Sequence, residues 1–162
     1  MPLDGTLPGS ALAELPERSF SVYLHVPFCH SRCGYCDFNT YTASELRGMS
    51  TGDYLTAALR EIDLAARVLG GGTPEVDTVF VGGGTPTMIP AGELSRLLDA
   101  IRERFGLARD AEITTEANPE TVTPEYLRRL REAGFTRISL GMQSAVPHVL
   151  EVLERAHTPG RG

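Results

Sequence analysis

Cys29, Cys33 and Cys36 are the only cysteines of this 162-residue chain, and they crowd into one stretch, PFCHSRCGYCDF. An odd count at such short spacing is poor material for a disulfide framework, because one thiol would be left over. Three thiolates this close in sequence can instead converge on one metal centre. Structural zinc accepts cysteines at such spacings but takes a four-ligand shell. The fourth ligand would have to be a histidine: His30 adjoins Cys29 and is badly placed, and His25 serves only if its side chain points to the loop. An iron-sulfur cluster is usually held by four thiolates. With three, one iron keeps a position where a substrate or cofactor can coordinate. If the segment were helical, positions 29, 33 and 36 would share a face and could be inert core residues, but Pro27 and Gly34 argue for a loop.

Two further features suit ligand binding. Gly82, Gly83 and Gly84 are followed by Thr85, and missing side chains let backbone approach a ligand closely. The same run also serves a tight loop after a strand. It is neither a dinucleotide nor a phosphate-loop signature, because the later glycine and the lysine are lacking. Glu116 offers two acceptor oxygens, or is simply a solvated glutamate.

The elements that must carry these residues follow from periodicity. FSVYLHV (20–26) is rich in β-branched and aromatic residues and stops at Pro27, as a strand does. Apolar residues recur at helical spacing from Asp53 to Leu69, with Gly70 to Gly72 closing the helix. VDTVFV (76–81) is a second strand running into the glycines. Leu94, Leu97, Leu98, Ile101 and Phe105 mark a second helix, with Pro90 near its start and Gly106 after it. AEITTEANP (111–119) is a third strand. Thr123 and Pro124 cap and begin a helix through Leu127 and Leu130 to Gly134. TRISLGMQ (136–143) is a fourth strand, and VPHVLEVLERA (146–156) a fourth helix. Residues 1–19 read as a flexible leader.

This alternation predicts an α/β fold of about four parallel βα units. An eight-stranded barrel takes about 250 residues, so the chain is either an open doubly wound sheet or the leading part of a larger barrel. The cysteines, the glycines, Glu116 and Gln143 all follow or end strands. That is the face on which such folds bind ligands.

Composition narrows the classes further. With 41% hydrophobic and 22% charged residues, the chain is a soluble globular one rather than disordered or membrane-spanning. Its net charge of −6 argues against a nucleic-acid partner, which a basic patch would meet. The first residues lack the basic start and apolar core of an export signal, and a cytoplasmic location is expected, where thiols stay reduced.

CHSRCGYC matches the three-cysteine loop of the radical SAM superfamily, including the aromatic residue before the last cysteine. It occurs with YLHVPFC upstream, CDF downstream, GGGTPT at 82–87, EANPE at 116–120 and SLGMQS at 139–144. Together these resemble the oxygen-independent coproporphyrinogen III oxidase family, in particular its HemW-type haem chaperone branch. The resemblance runs from about Phe20 to Gly162, well under half of a typical member. It implies that residues 20–162 form the N-terminal part of a partial TIM-like barrel whose remainder is absent.

It implies also a 4Fe-4S cluster on Cys29, Cys33 and Cys36, with S-adenosylmethionine on the remaining iron. By the same resemblance Gly83, Gly84 and Thr85 meet the methionine end of that cofactor, Glu116 its ribose, and Tyr23 and Tyr35 are aromatic contacts around it. Gln143 and Arg155 match positions that touch a second S-adenosylmethionine in the oxidase branch. Oxidases carry another cysteine where this chain has Phe38, which favours the chaperone branch: haem binding, transfer to an unidentified acceptor protein, and an electron donor such as a flavodoxin or ferredoxin. The alternatives are radical oxidative decarboxylation of coproporphyrinogen III, and a zinc-stabilised α/β domain without redox chemistry. No catalytic residue is assigned.

Overall fold

Each successive strand of the main sheet is added on the same side, with a helix before it. The computed structural model describes residues 5–46, 48, 50–154 and 158. A short helix α1 (Gly9–Ala13) precedes β1 (Phe20–Val26). The two-residue strands β2 (Phe28–Cys29) and β3 (Tyr41–Thr42) bracket the cysteine loop. Then follow α2 (Thr51–Leu69), β4 (Val76–Gly83), α3 (Ala91–Phe105), β5 (Leu107–Ala117), α4 (Pro124–Ala133), β6 (Arg137–Leu140) and α5 (Pro147–Val152). The main sheet is parallel throughout, in the order β1-β4-β5-β6. A doubly wound sheet reverses direction at a switch point, and this order contains none. The fold is therefore a barrel segment.

The register sorts side chains by face. Val22 and Leu24 of β1 stand beside Val79 and Val81 of β4, and these beside Ile113 and Thr115 of β5. This face forms one core with Leu55 and Ile62 of α2, Leu94, Leu97, Leu98 and Ile101 of α3, and Leu130 of α4. Helix α2 packs on α3, and α3 on α4. The opposite face carries a row of Tyr23, Phe80, Thr114 and Arg137, with Arg137 paired to Glu112 at 3.2 Å.

Most expected elements are present, with boundaries moved for identifiable reasons. Helix α2 starts at Thr51 rather than Asp53, because Ser50 Oγ accepts from the Asp53 N–H and the Asp53 carboxylate accepts from the Ser50 N–H, a capping box. Strand β5 starts at Leu107 rather than Ala111, since a register shift opposite Val76 and Thr78 lets exposed Arg109 and Asp110 turn outward. Strand β6 ends at Leu140 rather than Gln143, where Ser144 N–H bonds back to Met142 O at 2.7 Å and Gln143 takes φ 58°. Helix α5 covers Pro147–Val152 of the expected 146–156. Residues 5–19, expected as a leader, contain α1 and a tight turn at Leu15–Glu17, and none of them is buried.

The end of β4 is locked to the start of the cysteine loop. Gly84 N–H donates to Val26 O at 2.8 Å, and Thr85 N–H to Phe28 O at 2.7 Å. A Cβ on Gly84 would collide with the Phe28 carbonyl oxygen and lie 3.0 Å from Cys29 Sγ. Gly83 has φ +112°, and a Cβ there would stand 2.8 Å from the His25 ring. On the other side, Tyr54 of α2 donates its hydroxyl to His25 O at 2.9 Å and packs edge-on against Phe28, ring centroids 5.4 Å apart.

Two predictions follow from these contacts. Gly84→Ala forces backbone apart and should cost about 3 kcal/mol or more. Gly92→Ala, where a Cβ meets nothing within 4 Å, should be neutral or gain up to about 1 kcal/mol; denaturant midpoints compare the two, and equal midpoints would refute the close approach. Burial pushes the Tyr54 hydroxyl from its ordinary value of 10.0 up to about 12. Its contribution is complete below pH 10 and fades as pH rises towards 12, because the unfolded chain ionises first. Tyr54→Phe should cost about 1 kcal/mol at neutral pH and reduce the alkaline loss of stability, measured by unfolding at pH 7 and pH 11.

Candidate metal centre and cofactor cavity

The cysteine loop is closed at its neck by the pairing of β2 with β3 and by Tyr41 N–H to Pro27 O at 2.7 Å. Within it, Cys36 N–H bonds to Cys33 O at 3.0 Å, making a turn, and Gly34 N–H reaches Leu153 O at 3.3 Å just past α5. The Arg32 guanidinium donates to Thr40 O and pairs with Glu45 at 3.5 Å. His25 points towards the loop, but it is engaged there: Nε2 lies 2.8 Å from Asn39 O and Nδ1 lies 2.9 Å from the Tyr23 hydroxyl. Since a carbonyl only accepts, Nε2 carries the proton and Nδ1 accepts from tyrosine.

The loop opens on a cavity of about 340 Å³ at the carboxyl ends of β4, β5 and β6. All three cysteines line it, with Tyr35, Gly83, Gly84, Thr85, Glu116 and Gln143. Four separate stretches of sequence thus meet in one space. Glu116 is held by a hydrogen bond from Gly83 N–H to Oε2 at 3.1 Å, which ties β5 to the glycine turn. Gly82 has the same tightness: a Cβ there would stand 2.9 Å from that Glu116 oxygen.

Cys29 is buried. Burial pushes its thiol up, the Thr40 hydroxyl counters this, Cys36 pushes up again, Thr85 counters, and Cys33 adds a last upward push. No disulfide joins the three sulfurs. Among the described residues, no three His, Cys, Asp or Glu side chains gather closely enough to hold a single metal ion. A cluster asks for something different: one thiolate per iron, arranged around a cage rather than a point. The donor set, three soft sulfurs of one loop beside an open space, fits that group.

Of the expected site residues, one does not line the cavity and one is not described. Tyr23 does not line it; the tyrosine is 54% exposed, its ring stacks on Phe80 at 6.2 Å, and its hydroxyl serves His25. Arg155 lies outside the described residues. Conversely, His30, Phe38, Asn118, Thr121 and Ser139 line the cavity without having been assigned to it. Asn118 sits two residues beyond Glu116, so the strand-end position that flagged the glutamate extends to it. Thr121 is held by its hydroxyl, which bonds the Thr87 hydroxyl and Asn118 O, and nothing in its sequence context marks it.

Residues 23–161 match the Radical SAM superfamily. The chain is 55% identical over 155 residues to the heme chaperone HemW of Mycobacterium tuberculosis (strain CDC 1551 / Oshkosh), an alignment that covers 96% of this chain and 39% of that protein. It is 41% identical to the heme chaperone HemW of Escherichia coli (strain K12), covering 86% and 36%. Identity to the oxygen-independent coproporphyrinogen III oxidase of the same organism is 36%, covering 90% and 31%. The solved structure of coproporphyrinogen III oxidase (HemN) from Escherichia coli, a radical SAM enzyme, superposes with a TM-score of 0.80 at 35% identity, covering 92% of this chain and 33% of that one. The chain spans about two fifths or less of the length of these relatives. Parallel βα units, the cysteine loop with its glycine turn, and a match over nearly the whole length agree, and the chain belongs to the radical SAM superfamily.

Proposed function

We propose that Cys29, Cys33 and Cys36 hold a 4Fe-4S cluster with S-adenosylmethionine beside it, and that the full-length protein is a haem chaperone that passes haem to an acceptor protein. The observation that carries the cofactor half is the meeting of the three thiols, the Gly83–Thr85 turn and Glu116 in one cavity. When bound, a reduced cluster supplies the electron that cleaves the sulfonium of S-adenosylmethionine.

The chain's own residues have definite tasks in this reading. Gly83 and Gly84 present bare backbone to the cofactor, since no side chain fits at either position. Glu116, oriented by the Gly83 N–H, offers its carboxylate to hydroxyl donors such as those of a ribose. The Thr85 hydroxyl bonds Cys29 and so braces the sulfur from the glycine side. Tyr35 covers the cavity with an aromatic ring that is 47% exposed. Gln143, turned by its positive φ, closes the β6 side. Tyr23 supports the loop through His25.

Two points favour the haem-carrying half: identity to the chaperones of Mycobacterium tuberculosis and Escherichia coli, 55% and 41%, exceeds the 36% to the Escherichia coli oxidase, and Phe38, exposed at the cavity, stands where the resemblance implies a further cysteine in oxidases. The reading brings with it an electron donor of the flavodoxin or ferredoxin kind and a cytoplasmic location. No helix among the described residues is long and apolar enough to cross a membrane.

Two tests bear on this. Anaerobic reconstitution of the full-length protein should give about four iron and four sulfide per chain, and Cys33→Ser should lose most of both; zinc without sulfide would overturn the cluster. Adding haem should produce a Soret band, while incubation with coproporphyrinogen III, S-adenosylmethionine and reductant should leave it unchanged. Appearance of the divinyl product would assign the oxidase activity instead.

A further inference from the structure

From His30 to Thr40, Thr40 alone is buried, at 1% exposure. A buried hydroxyl needs a partner, and this one faces sulfur. Its Oγ1 lies 3.8 Å from Cys36 Sγ, and it also hydrogen-bonds the Cys29 thiol. The backbone around it is fixed from every side. Asn39 O accepts from His25 Nε2 at 2.8 Å, Thr40 O accepts from Arg32, Thr40 N–H donates to Phe38 O at 2.8 Å, and Tyr41 N–H donates to Pro27 O at 2.7 Å. Arg32 is steadied in turn by Glu45. Tyr41 N–H to Pro27 O belongs to the closure of the loop, and the other three hydrogen bonds exceed what that closure requires. What they add is the direction of a single hydroxyl.

A thiolate that ligates iron has no proton to give, so the hydroxyl must donate. Hydrogen bonds to the sulfurs are among the factors that set the reduction potential of an iron-sulfur cluster. Reduction adds negative charge, part of which resides on the ligating sulfurs. A donor therefore stabilises the reduced state more than the oxidised one and shifts the potential upward.

We propose that Thr40 is a positioning residue whose buried hydroxyl shares its proton between the sulfurs of Cys36 and Cys29 and raises the reduction potential of the cluster they hold. This rests on the cluster reading given above. Thr40 touches neither substrate nor cofactor and is absent from the cavity lining; it acts through the cysteines.

The test is a potentiometric titration of the anaerobically reconstituted full-length protein, followed by electron paramagnetic resonance of the reduced cluster, for wild type, Thr40→Val, Thr40→Ala and Thr40→Ser. Valine keeps the shape and removes the donor, so its midpoint should move to a more negative potential at unchanged iron content. Alanine should move the same way, and serine should return to the wild-type value. Val and Ala variants with full clusters and wild-type midpoints would overturn the inference while leaving the cluster intact. So would a serine variant as shifted as valine. Loss of the cluster from Val and Ala, with serine loaded normally, would also overturn it, because the hydroxyl would then serve assembly rather than potential. A wild-type protein that takes up no cluster would sink the cluster reading itself, an outcome the titration separates from the others.

Discussion

Two stretches of backbone meet at Gly84 with no side chain between them, and the geometry of the cavity descends from that meeting. The N–H groups of Gly84 and Thr85 find the carbonyls of Val26 and Phe28, so pairing between β4 and β1 continues past the ends of the strands. Each bond is worth only about 1 kcal/mol net. The steric condition is what makes the arrangement specific, because any Cβ at this point would occupy the place of the Phe28 carbonyl oxygen. Cys29 follows directly after Phe28, so the position of the first sulfur is set by a glycine more than fifty residues away in sequence. The same turn fixes Glu116 through the Gly83 N–H, which makes three strands answerable to one short segment.

Electrostatics give the site a direction. Placing three thiols around one cavity, one of them buried, disfavours thiolate without a metal: burial raises the Cys29 thiol first, and its two neighbours add to this. The hydroxyls of Thr40 and Thr85 offset part of that cost with hydrogen bonds to sulfur. Iron reverses the balance, since positive charge beside a sulfur favours the deprotonated ligand, and uptake must release protons. The balance before a metal arrives thus favours the protonated form of the Cys29 thiol.

How much of this the sequence discloses depends on the range of the interaction. Strands and helices follow from local periodicity, and β1 was legible to the residue because Pro27 stops it. The α2 boundary moved because a capping box is read from two residues jointly, and β5 began early because charged Arg109 and Asp110 conceal a strand that a register shift can accommodate. The convergence of cysteines, glycines and Glu116 was legible because all follow strand ends in a parallel fold. Tyr23 was less legible: alternation says that it shares a face with His25, not whether that face lines the cavity. Thr40 carries no periodic signal and no charge. Only the folded loop shows that it is buried against sulfur.

The sheet itself carries the argument one step further. Parallel sheets are normally covered on both faces. Among the described residues the core helices α2, α3 and α4 pack on one face, and the other carries a row from Tyr23 through Phe80 and Thr114 to Arg137, with Tyr23 more than half exposed. Beyond β6, Leu140, Met142, Val146 and Val152 are exposed as well. In a barrel segment the face away from the helices is the inner one, and here it carries mixed aromatic and charged side chains. The contacts that orient the cysteine loop, the glycine turn and Glu116 come from the strands, from α2 and from the segment after α5.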